Sequence, residues 1–439
     1  MKIVFVENRF KTAFWELIAK EYQLDGHEIY WIVQNPLFKP SFGDVYTLPF
    51  PEGRPIENTL NDQALEKIIL SNRGLKYFKI ESNNFIFHYK QEIDQIVEKI
   101  NPDFVFGEST MFHELLVINS CKKRGIKYLH PTSCRYPSER FSFYLYDSLK
   151  PYSGSNEKLK RNEVLELIQS ISSRKIQPDY INKKSNKNYI LKKLKSSITL
   201  FISYYLGEKY NTPSPLRKFK LERERKRNIL RWEEMSDPIE MINLEEVNIL
   251  YAFQMQPEAN IDVWGYPFSN QLEVIKEICS SLKEGEKLIL KPNPKSKYEI
   301  SEELLLTLKS LKEKVVILSH SIKMETIWDK LDVIVTVTGT IGIEAFLSNK
   351  PCLILGDIIN SERKSINSIT LQRELRDLID SHKSGQIKSI NINQKIELID
   401  YLTTTSFKGV IGDGLTNRAH IFDRRNRINI LKAFKTIIG

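Results

Sequence analysis

Thr338, Gly339 and Thr340 follow the apolar run Asp332 to Val337, and Glu344 comes one helical turn later. Small, hydroxylated residues between a buried strand and a short helix leave backbone N–H groups pointing past the strand's carboxyl end, where a phosphate or other anion is favoured. Glu344 on that helix can accept ribose hydroxyls. The same residues also serve as ordinary N-cap chemistry, so both readings stand. Glu108 has an equivalent place in Gly107-Glu108-Ser109-Thr110, after Asp103 to Phe106, either as a carboxylate for base work or as a solvated loop residue. Arg135 and Arg140 in HPTSCRYPSERF could grip a substrate carboxylate in a bidentate fork, or simply lie on the surface. Further polar residues close other apolar runs: Gln256 and Glu258 after VNILYAFQ, Lys291 and Asn293 after Lys287 to Leu290, and Ser319 and Ser321 after Val315 to Leu318.

The elements that must position these side chains alternate between strand and helix. MKIVFVEN is a strand, Lys11 to Tyr22 an amphipathic helix, Gly26 its stop and Glu28 to Val33 the next strand. The pattern recurs from Asp103 to Leu129, and again from Val247 to Gly356. Two such halves predict an α/β protein of two doubly wound domains facing each other across a cleft: 1–156, and 241–415. Residues 416–439 are expected as a C-terminal helix packing back on the first domain. Between the halves lies a basic stretch, 157–240. Residues 157–231 hold 20 Lys and Arg against 7 Asp and Glu, a net of +13, whereas the remainder has 45 against 48. Such helices suit an anionic membrane surface, or form a solvated pair between domains. No nucleic-acid module accompanies them, so nucleic acid is not an expected partner. The 439 residues can bury a core without disulfides, and four cysteines without CxxC spacing fit a reducing cytoplasm. No signal peptide is visible, and the longest apolar run, Ile198 to Leu206, is far short of the ~20 residues of a membrane span.

YAFQMQPEAN, NQLEVIKEI, LILKPNP and VTVTGTIGIEAFLSNKPCLILG, in this order, resemble the bacterial capsule polysaccharide biosynthesis family, which includes capsule Kdo transferases. The resemblance is strong over 247–356, looser near 107–141, and does not extend to the basic stretch. It implies a GT-B glycosyltransferase fold of two Rossmann-like domains, the second holding the donor nucleotide. In that reading Gln256, Lys291, Asn293, Ser319, Ser321, Thr338, Gly339, Thr340 and Glu344 hold the donor, Glu108 and Glu258 are the catalytic carboxylates, and Arg135 and Arg140 take the sugar's carboxylate. One departure is that Asn293 stands where the family has a histidine. His130 and His320 read as structural. The implied reaction moves Kdo or a sialic- or pseudaminic-type nonulosonic acid from a CMP-linked donor to a glycan or lipid-linked glycan acceptor. The alternatives are a nucleoside-diphosphate hexose donor, or a non-catalytic glycan-binding component of capsule assembly. No acidic DxD-type pair is present, so no metal and no other cofactor is expected. Localisation is expected to be cytoplasmic, with the basic stretch holding the protein peripherally on the inner face of the membrane.

Overall fold

A computed structural model describes residues 1–51, 63–176, 197–357, 368–412 and 418–439. The chain forms two compact units. Counted over described residues, the first comprises Met1–Lys158, 197–218 and Tyr401–Gly439, and the second 159–176 and Phe219–Asp400. The basic stretch is therefore not a body of its own: its residues are divided between the two units.

In the first unit, parallel strands β1 (Lys2–Val6), β2 (Glu28–Val33), β3 (Asp44–Thr47), β4 (Phe104–Phe106) and β5 (Lys127–Ser133) pair in the order β5-β4-β1-β2-β3. β1 is buried on both faces because KIVFV has no polar residue after Lys2, as a central parallel strand requires. Antiparallel β6 (Arg140–Leu145) and β7 (Pro151–Ser153) extend the β5 edge, and a short strand, Phe407–Lys408, returns from the C-terminal region to pair with β6. The helix Arg424–Ile438 lies against the first helix, Thr12–Leu24, where Tyr22 Oη donates to the Phe434 carbonyl at 2.7 Å. Asp423 starts that last helix by accepting the Asn426 N–H at 3.0 Å. Phe434 completes an aromatic core with Phe14, Trp15, Phe106 and Phe143. The terminal helix is thus part of the first unit's core.

The second unit repeats the plan. β8 (Val247–Ala252), β9 (Glu286–Lys291), β10 (Val315–Ile317), β11 (Val333–Thr336) and β12 (Cys352–Ile354) are all parallel, in the order β10-β9-β8-β11-β12. Counted within each unit, the parallel strands take the order 3-2-1-4-5 of a Rossmann sheet, so both units are doubly wound. The order reverses between β1 and β4 in one unit and between β8 and β11 in the other. Loops diverge at such a switch point, and ligands bind at the strands' carboxyl ends there. No helix of the described residues is long and apolar enough to cross a membrane.

Candidate functional site

In the second unit, four loops leave the carboxyl edge of the sheet side by side. β9 ends in Lys291, whose side chain is buried, and among the described residues its ammonium touches only main-chain oxygens: Pro292 O at 3.1 Å and His320 O at 3.4 Å. Burial pulls its pKa down to about 8, with Glu233 opposing the shift. A desolvated cation held by main-chain oxygens is a ready partner for an anion.

β10 feeds the turn Ser319-His320-Ser321. Glu233, near the end of the basic helix Pro215–Glu234, organises this turn: it accepts the Ser319 hydroxyl at 2.6 Å, the His320 N–H at 3.0 Å and the His320 imidazole at Nδ1. Trp232, one residue earlier, fixes the same helix end by donating Nε1–H to the Leu318 carbonyl at 2.9 Å. With Nδ1 on a carboxylate, His320 Nε2 is buried and has no hydrogen-bond partner among the described residues. His320 is thus held in place by Glu233. Asn293 anchors its own loop through Oδ1, which accepts the Lys295 N–H at 2.8 Å. Ser321 exchanges a hydrogen bond with Ser319 at 2.8 Å and is exposed.

At the switch point, Gln254 after β8 and Thr338 after β11 grip each other. Gln254 Nε2 donates to Thr338 Oγ1 at 2.6 Å, and the Thr338 N–H donates to Gln254 Oε1 at 3.0 Å. The Gly339 N–H donates to Thr336 Oγ1 at 3.0 Å, and a Cβ at Gly339 would come within 2.5 Å of that oxygen, so only glycine fits. Two of the amides expected to face an anion are therefore engaged inside the protein. Thr340, half-buried, begins the helix Ile341–Leu347.

Three of the expected site residues are engaged inside the protein. Gln256 gives both amide hydrogens to Asp262 and Ser269, its carbonyl accepts from Gln271, and its N–H donates to Glu299. It pins the loop instead. Glu344 is buried and ion-paired with Arg174, whose guanidinium stacks on Trp328 at 4.6 Å, so the carboxylate is committed before any ribose arrives. Arg140 is buried and donates to Ser406 Oγ, Thr403 O, Ser406 O, Ser155 Oγ and Glu157. It ties β6 to the chain's return after residue 400. Arg135 is half-buried, with φ at +67°. Glu258 is half-buried at the N-cap of the turn Ala259–Asp262, with no capping hydrogen bond from its side chain.

Glu108 lies in the first unit, at that unit's own switch point. Gly107 makes room for it: a Cβ there would meet the Tyr128 hydroxyl at 2.1 Å. The Glu108 carboxylate pairs with Lys11 at 2.9 Å, and burial raises its pKa against the pull of Lys11. Beneath it lies a polar cluster that sequence reasoning missed. Glu7, at the end of β1, accepts the N–H groups of Arg9, Gln34 and Asn35. Arg9 in turn forks onto Glu208 at 2.8 and 2.9 Å. Burial lifts Glu7 to about 8, and the Glu208 charge adds to the shift. For Glu208 burial is the largest single influence and raises the pKa, but Arg9, Thr212 and His113 together outweigh it and the net direction is downward. His113 bridges the Glu7 carbonyl at 2.9 Å and Asn211 at 3.2 Å. The strand-end position of Glu7 in MKIVFVEN was the available signal. Nothing local marks Glu208 or Glu233.

The sequence profile of capsule polysaccharide biosynthesis proteins matches residues 166–389, a span that includes Arg174, Glu233, Lys291, His320 and Thr338. The chain belongs to that family. No match exists among curated proteins. Over nearly its whole length this capsule-family chain can be laid on several solved structures. These include KpsC, a β-Kdo 2,7 transferase of Thermosulfurimonas dismutans (10% identity, 98% of this chain and 99% of that one, TM-score 0.36). A glycosyltransferase of Rickettsia africae gives 11% identity, 100% and 98% coverage, and a TM-score of 0.29. UDP-GlcNAc 2-epimerase of Neisseria meningitidis gives 14%, 92% and 99%, and 0.25. Likenesses at this level do not bear on activity. His130 is buried: Nε2 meets the Ser148 carbonyl at 2.9 Å, and burial lowers its pKa to about 4.

Proposed function

We propose that the protein is a GT-B glycosyltransferase of capsule or surface polysaccharide synthesis that transfers a sugar acid, Kdo or a nonulosonic acid, from a CMP-linked donor to a glycan or lipid-linked glycan acceptor. The observation that carries the proposal is the buried Lys291 ammonium, held by main-chain oxygens beside the Glu233-held His320. A departing nucleotide phosphate gains negative charge in the transition state, so a fixed cation there lowers the barrier more than it strengthens ground-state binding. Asn293 and Ser321 stand on the same edge as further donors, and the half-buried Thr340 lies across the sheet from them. Glu108 is the proposed base in the first unit, and Glu258 the second carboxylate candidate. The chemistry as proposed needs no metal, because Lys291 supplies the positive charge.

A second reading, a nucleoside-diphosphate hexose donor, is favoured by the engagement of Arg140, one of the two arginines expected for a sugar carboxylate. Thermal shift with CMP, UDP and GDP separates the readings. Stabilisation by CMP, lost in Lys291→Ala and reduced in His320→Ala, is expected. A response to UDP or GDP alone would favour the second reading, and indifference to all three would favour a non-catalytic glycan-binding role.

A further inference from the structure

The helical residues 197–203 and the turn that follows are oriented opposite to an ordinary surface helix. Ile198, Phe201, Ile202, Tyr205 and Leu206 recur at helical spacing on one side and are 43–67% exposed, whereas the small polar Ser203 is fully buried on the other. A helix of a globular unit normally turns its apolar stripe inward. The exposed stripe is reinforced by ring contacts within itself, Phe201 against Tyr205 at 5.6 Å and Tyr204 against Tyr205 at 5.1 Å. Its position is fixed by the first unit. Glu208, at the end of the turn, is locked by Arg9, and Gly207 lies so close to the Gln34 carbonyl that a Cβ would come within 2.9 Å. The adjoining turn Pro36–Phe38 adds exposed Leu37, and Lys39 and Lys209 are exposed beside these residues in the sequence.

We propose that this face is a lipid-docking surface that seats the first unit on an anionic bilayer. Charge selects the occupant. The stripe holds no aspartate or glutamate, exposed Lys209 follows it in the sequence and exposed Lys39 follows the adjoining turn Pro36–Phe38, so basic charge borders an aromatic, apolar stripe. That combination fits the interface of an anionic membrane, where rings and aliphatic side chains sink to the acyl boundary while lysines meet headgroup phosphates. An uncharged protein partner would not call for the lysines, and a soluble polyanion would not call for the stripe. The proposal does not depend on donor identity and concerns residues remote in sequence from Lys291 and His320.

The test uses the full chain and vesicles of phosphatidylcholine alone or mixed equally with phosphatidylglycerol. Co-sedimentation with the mixed vesicles and at least ~10-fold weaker binding to phosphatidylcholine are expected, since individual basic residues near such a surface add measurably to affinity. The triple variant Phe201→Ser, Ile202→Ser, Tyr205→Ser should lose at least ~10-fold of the binding while thermal stability and nucleotide response are kept. As an independent reading, Tyr205→Trp should shift its emission to the blue on adding mixed vesicles. Equal binding by the triple variant, no emission shift, or a dimer in light scattering that the triple variant dissolves without any vesicle binding would each overturn the proposal. None of these outcomes alters the nucleotide response, so failure here and failure of the glycosyltransferase reading are distinguishable.

Discussion

Lys291 is the residue on which the site turns. Its burial-lowered pKa of about 8 gives binding a pH signature. Anion binding requires the ammonium, so nucleotide affinity should fall as pH rises from 7 to 9, whereas an ordinary lysine would hold its charge throughout. Titration calorimetry in buffers of different ionisation enthalpy should also show proton uptake near pH 8, because the bound phosphate raises the lysine's pKa again. A pH-independent affinity across that range would remove Lys291 from the site. The carboxylates make a separate prediction: Glu108→Gln should cost about 100-fold or more in turnover with donor affinity kept, the scale of a general base. Glu258→Gln tests the second candidate in the same assay, and a wild-type rate in either variant excludes that residue. Glu7 bears on stability instead. Its folded pKa lies above that of the unfolded chain, so between about 4.5 and 8 the folded state holds the extra proton and stability falls as pH rises through that window. Buried His130 and His113 titrate with the opposite sign, unfolded chains taking up the proton first, so the informative quantity is the difference between wild type and Glu7→Gln. The variant should gain at least ~1 kcal/mol relative to wild type on going from pH 5 to pH 8, by chemical denaturation, and a constant difference would refute the assignment. Strand-end residues were legible because buried parallel strands are unbroken apolar runs and the first polar residue marks the edge. Their commitments were not: Glu233 reaches His320 across 87 residues, Arg174 reaches Glu344 across 170, and Arg140 reaches Ser406 across 266. Local pattern has no access to such pairings.

At the scale of elements, the alternation of apolar runs and amphipathic helices predicted both doubly wound sheets, and the short helix expected after Thr340 forms as Ile341–Leu347. The division of the basic stretch was not legible, because its composition is uniform while its burial is not. Trp232 and Asn228 on the helix Pro215–Glu234 are buried and bond to Leu318 and Ile300 of the second unit. Charge counting sees the exposed lysines and arginines and passes over these two anchors. The Arg174–Glu344 pair joins the end of the helix Arg161–Ser172 to the helix after β11. Removing one partner of a buried pair leaves the other charge stranded, a loss of roughly 3–5 kcal/mol. Arg174→Ala should therefore lower the melting temperature far more than substitution at exposed Arg373, and similar melting points would show that the pair is not needed to hold this helix.

At the scale of the whole molecule, two Rossmann-ordered sheets in one capsule-family chain are each equipped at the carboxyl edge, one with a buried cation and a carboxylate-held imidazole, the other with a buried carboxylate cluster. Because the proposed charge stabilisation comes from Lys291, turnover should survive excess EDTA, and loss of activity restored by a divalent cation would contradict that part of the account. The central claim is the donor. Purified protein incubated with a capsule oligosaccharide and either CMP-Kdo, a CMP-linked nonulosonic acid or UDP-linked hexoses, with released nucleotide quantified, tests it most directly. Acceptor-dependent CMP release that falls at least ~100-fold in Lys291→Ala is the predicted result, and UDP release without CMP release would contradict it.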